Sequence, residues 1–134
     1  MVELGVPGTA VDESAIILRF LLDRDIPTKA GRDKPNSDFY RASSDGSGTS
    51  VMAVCAEEHI PEVLERHADY AYWRRIDAQI VVSEGLTVRY DPTDEEPLHC
   101  AIHGWPEGKG ARTRVERNLI NKSEWHGAPP PVPE

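Results

Sequence analysis

Cysteine is scarce in this chain: Cys55 and Cys100 are the only two among 134 residues. Two cysteines do not make the disulfide framework of a small secreted scaffold. Both sit inside apolar runs, Val-Met-Ala-Val-Cys-Ala and Leu-His-Cys-Ala-Ile, and are expected to behave as small core residues. Basic residues are also in deficit, 15 against 23 acids, for a net charge of −8. That balance excludes a generally basic nucleic-acid footprint, so binding to phosphate or anionic lipid would need a local basic patch. No apolar run approaches the roughly 18 residues of a membrane span. The start, Met-Val-Glu-Leu-Gly-Val-Pro-Gly, has neither a basic leader nor an apolar h-region. A reduced, cytoplasmic location is the expectation.

A chain of this length fits one domain with its own core. Ala15–Leu22 is an apolar run broken only by Arg19, rich in branched and aromatic residues, and reads as a strand. On a strand Arg19 faces away from Leu18 and Phe20. Residues 24–50 are polar and full of turn formers, which predicts a long loop. Val51–Ala56 reads as a buried strand. Glu57–His67 is a helix with Ile60, Val63, Leu64 and His67 on one face and Pro61 confined to the first turn. Ile76, Ala78 and Ile80 alternate with Asp77, Gln79 and Val81 and suggest a half-buried strand; a helix over Trp73–Glu84 ending at Gly85 is the rival reading. Leu86–Tyr90 is a strand, and Glu84-Gly85 would be the hairpin turn before it. Leu98–His103 is a further strand, and Lys109–Lys122 a basic helix. Gly-Ala-Pro-Pro-Pro-Val-Pro-Glu is a polyproline tail. The order predicts an α+β fold: a single domain over 1–126, a mixed or antiparallel sheet with two helices on one side, a loop at 24–50, and a tail at 127–134.

Asp91 to Pro106 concentrates the chemistry-bearing residues, with His99, His103, Cys100 and Trp105 fenced by prolines. A helix would let His99 and His103 chelate one metal, but Pro97 and Gly104-Trp105-Pro106 leave no room for one. On a strand the four-residue step spans about 13 Å at roughly 3.3 Å per residue, so the two rings share a face but not one ion. No metal and no cofactor is expected. Histidine exchanges protons near neutral pH, so His99, helped by Asp91 or His103, is a candidate acid–base group, with Arg19 or Arg41 for a phosphate. Cys100 follows His99 and points to the opposite face, so the two form no dyad. The Gly46-Ser47-Gly48-Thr49-Ser50 loop lacks the Walker lysine and no helix follows it.

Two surfaces are candidates for binding. The final helix carries Lys109, Arg112, Arg114, Arg117 and Lys122, partly offset by Glu107, Glu116 and Glu124. Tyr70, Tyr72 and Trp73 beside Arg74 and Arg75 have the makings of a stacking or protein-docking surface. Tyr72, Trp73, Trp105, Arg112 and Arg117 are the expected binding residues.

Asp91-Pro92, then Pro97-Leu98-His99-Cys100-Ala101-Ile102-His103-Gly104, then the basic helix, a tryptophan and a proline-rich end resemble a group of small uncharacterised bacterial proteins. In them an Asp-Pro turn, a Pro-x-His-Ala strand ending near Gly and a final basic helix recur in that order. Cys100 stands where the group tends to have Ala. The likeness covers roughly residues 50 to 134, implies no activity, and singles out His99 as the histidine to test. The expected function is a non-enzymatic interaction or regulatory subunit of a bacterial multi-gene module, with a protein partner and no membrane. The alternatives are a small hydrolase or nuclease acting through His99, and a nucleotide or RNA binder using the C-terminal helix.

Overall fold

A computed structural model describes residues 4–27, 34–36, 39–43 and 46–131. Parts of the expected loop (28–33, 37–38 and 44–45) and the end of the expected tail (132–134) lie outside the described residues. Six strands and three α-helices follow one another as β1 (Ile16–Phe20), β2 (Thr49–Val54), α1 (Ile60–Arg66), β3 (Trp73–Asp77), α2 (Ala78–Ser83), β4 (Thr87–Tyr90), β5 (His99–His103), α3 (Lys109–Lys122) and β6 (Glu124–His126). One antiparallel sheet in the order β4-β5-β2-β1-β3-β6 makes this a single α+β domain.

The central strands are apolar on both faces, so both must be covered. Ile17, Val51 and Ala53 face one core together with Ala78 and Val81 of α2 and Leu119 and Ile120 of α3. Ile16, Leu18, Met52 and Val54 face a second core with Ile60 and Val63 of α1. Helices therefore flank both faces, not the one side expected from strand order. The described part of the 24–50 segment is no bare connector, because Phe39 and Tyr40 are fully buried in the first core.

The run after Tyr70 resolves the rivalry between strand and helix by splitting it. Trp73–Asp77 pairs with β1, and Ala78–Ser83 then turns into a helix that puts Ala78 and Val81 in the core. The alternation seen at 76–81 is overridden by that packing, since Ala78 and Val81 are i, i+3 neighbours on one helix face, whereas on a strand they would point to opposite faces. Gly85, at φ +87°, closes α2 and is not a turn between paired strands; β4 pairs with β5.

Strand β6 was not expected. It pairs with β3 through Arg74↔Trp125. Arg74 is buried, donates to the carbonyls of Ile120 and Ser123 and to Ser123 Oγ, and lies 4.6 Å from the Trp125 ring centroid. The guanidinium thus satisfies carbonyls at the end of α3, where a helix leaves acceptors without internal partners. Cys55 also departs from expectation: it is exposed just past β2, whereas Cys100 is buried.

Candidate active site

β2, β5 and the end of β4 bring three polar side chains together on the sheet face that α1 covers only in part. Their register pairs Ser50 with Ala101 and Met52 with His99, so Ser50 and His99 are diagonal neighbours on one face. Ser50 Oγ lies 2.6 Å from His99 Nε2. On the far side of the ring, Nδ1 is 2.8 Å from the Asp91 carbonyl and 3.5 Å from Asp91 Oδ2. A carbonyl can only accept, so Nδ1 carries a proton, and in the neutral form of the ring Nε2 is the acceptor for the serine hydroxyl. That tautomer is the one a general base needs.

The scaffold around the three residues is tied down. Asp91 N–H donates to the His99 carbonyl, and Tyr90 OH donates to the Pro97 carbonyl. The Asp91–Leu98 loop is anchored by Glu96, which is only 3 % exposed. Its Oε1 accepts from Arg66 Nε (3.0 Å) and His67 Nε2 (2.8 Å), and its Oε2 from Arg66 Nη2 (2.8 Å) and Leu98 N (2.8 Å). Burial pushes the Glu96 carboxyl up, but the hydrogen bonds from Arg66, the Leu98 N–H and His67 outweigh it and leave it below its ordinary value. Beneath Ser50, Arg19 donates to the Ser50 and Phe39 carbonyls. Arg19 does face away from Leu18 and Phe20, stacked over Phe39. Nε and one Nη of Arg19 are held by these carbonyls on the face of the sheet opposite Ser50 Oγ and His99, away from the phosphate position considered above.

Gly48 sets how closely the start of β2 approaches β5. Its φ is +84°, and a Cβ there would stand 2.6 Å from the Ile102 carbonyl and 3.1 Å from the His103 ring. His103 shares the face of His99 but stands four strand positions away, with Ala101 between them. Among the described residues no group of three or more His, Cys, Asp or Glu is placed to hold a metal ion. Arg89, paired with Ala101 from β4, adds a cation to the same face.

Of the residues singled out from sequence, His99 and Asp91 meet and His103 does not join them. Trp73 is 4 % exposed and stacks edge-on to Phe20, so it presents almost no surface to a partner. Tyr72 is half-buried against the first core. Trp105 is half-buried, its Nε1 donating to the Ile102 carbonyl, and it lines a depression with Arg112. Arg117 lines a second depression along α3. Ser50 was missed. The only signal in the chain was the alternation Ser50, Met52, Val54, which puts the hydroxyl on one strand face without saying which strand lies beside it. No helix among the described residues is long and apolar enough to cross a membrane. No family model, no curated protein and no solved structure matches this chain.

Proposed function

We propose that the chain is a small hydrolase in which Ser50 is the nucleophile and His99 its general base, acting on an ester or thioester. The 2.6 Å contact between Ser50 Oγ and His99 Nε2, backed by Asp91 at Nδ1, carries this reading. Ser50 Oγ attacks the carbonyl carbon while its proton passes to Nε2. The tetrahedral adduct collapses, the C–O or C–S bond breaks, and the leaving group takes that proton from His99. Water activated by the same ring then releases the acid and restores Ser50. Asp91 holds the ring and offsets the imidazolium charge, weakly, because its carboxylate is 62 % exposed. Arg89 supplies positive charge on the face where the oxyanion develops.

The interaction-protein reading finds less support, since Val6 and Val82 are the only large hydrophobics exposed among the described residues. The test is covalent: an alkyl fluorophosphonate should phosphonylate Ser50 in the folded protein, found by peptide mass spectrometry. His99→Ala should slow labelling and turnover of an activated ester by about 10²- to 10⁴-fold, the range for loss of a general base. A folded protein whose Ser50 stays unlabelled, or one labelled equally well without His99, refutes the proposal.

A further inference from the structure

α3 has a face that the sequence could not isolate. Of the acids expected to offset its charge, Glu107 is exposed just before the helix, Glu116 is only 7 % exposed, and Glu124 belongs to β6. Lys122 is held at the far end by Glu84, 2.8 Å away, which also accepts from Asn118. What remains outward is Lys109, Thr113, Arg114, Arg117, Asn118 and Asn121, lining a depression of about 650 Å³ with no carboxylate in its wall. A second depression of about 640 Å³ adjoins it, sharing Lys109 and Thr113; Arg41, Arg112 and Trp105 line it together with the carboxylates of Glu107 and Glu116. The two hollows together make one track, wholly cationic along α3 and of mixed charge, with one cation in excess, at the end that carries the indole.

We infer that this track binds single-stranded nucleic acid, with backbone phosphates along α3 and an unpaired base against Trp105. Eight residues separate Lys109 from Arg117, about 12 Å of helix, enough for successive phosphates and too long for one. Arg114 and Arg117 are i, i+3 neighbours whose planar guanidinium forks match phosphate oxygens. Thr113 adds a neutral hydroxyl between Lys109 and Arg114, whereas Asn118 is held by Glu84 and Asn121 accepts from Lys34. The indole decides between nucleic acid and an acidic peptide, because a carboxylate chain offers no ring to stack and an unpaired base does. The net charge of −8 opposes a polyanion at long range. At physiological salt that repulsion is screened beyond about 8 Å, so the local track governs. This site shares no residue with Ser50, His99 or Asp91, and the two proposals stand or fall separately.

The test is fluorescence anisotropy of the full chain with a short labelled oligouridylate, over a range of salt. With Lys109, Arg114 and Arg117 engaged, log affinity should fall against log salt with a slope of roughly −2, from about −0.7 per phosphate on a single strand. Arg114→Gln with Arg117→Gln keeps good helix formers in α3 and should bring the slope to about −0.7 and weaken binding about tenfold or more at low salt. Circular dichroism confirms that this variant folds. Tryptophan quenching on binding should be lost in Trp105→Phe. Absence of binding at low salt overturns the inference, as does a double variant that binds like the parent. So does quenching that survives Trp105→Phe, or competition by polyglutamate as effective as that by unlabelled oligouridylate.

Discussion

Replacing Glu96 by glutamine removes one charge and almost no volume, yet the structure requires it to be costly. All four acceptor positions of the carboxylate are used, two on each oxygen, by Arg66, His67 and the Leu98 N–H. A glutamine carbonyl keeps at most two of these bonds, and its NH₂ faces donors where an acceptor is needed. Losing two charge-assisted bonds at a buried ion pair should cost about 3–5 kcal/mol. With a urea dependence near 2 kcal/mol per molar, the unfolding midpoint should fall by about 2 M. Acid adds a second signature. The Glu96 carboxyl is held below its ordinary value of 4.5 in the folded protein, so its contribution is complete above that pH. It is lost as pH falls through the lower folded value, because the unfolded chain takes up the proton first. Wild type should therefore lose more stability than Glu96→Gln on acidification below about pH 4.5. Urea denaturation followed by circular dichroism at neutral and acid pH measures both. A variant within about 0.5 kcal/mol of wild type at neutral pH, with the same acid slope, would refute the argument.

Other expectations concern the strands beneath the site and the thiols. Gly48→Ala must hold a left-handed backbone and drive a Cβ to 2.6 Å from the Ile102 carbonyl. It should lose at least about 2 kcal/mol in urea denaturation, and a loss under about 0.5 kcal/mol would show that β2 and β5 shift freely there. Cys55 is exposed, whereas burial pushes the Cys100 thiol up to about 12. Iodoacetamide should add once to the native protein and twice after unfolding; two rapid native adducts would mean that Cys100 is reachable.

Local patterns reported the elements whose surroundings are simple. Lys109–Lys122 matched its helix end to end, and Pro61 placed the start of α1 because a proline is tolerated only in a first turn. β5 was legible from Pro97 and Gly104, which leave room only for extended chain. Two elements were not. The 73–84 run fits both periods, and only the demand of a core for Ala78 and Val81 chose the helix. Glu124–His126 carries no strand signal of its own, and it pairs with β3 above the buried Arg74. In the site, Asp91 and His99 lie within one segment and could be named together. Ser50 lies 49 residues from His99, and strand alternation says only which way a side chain points.

The order of residues alone determined that this is one α+β domain of net negative charge, with an extended histidine segment and a basic last helix. These follow from period, proline and glycine placement, and composition, all of which act over a few bonds. Tertiary structure decided that β2 lies beside β5, so that a serine meets an imidazole. It also decided that Glu116 is largely buried, so that Lys109, Arg114 and Arg117 share a hollow along α3 with no carboxylate in its wall. Strand register and helix rotation are set by how side chains share a common core, a property of the assembled chain and of no segment within it.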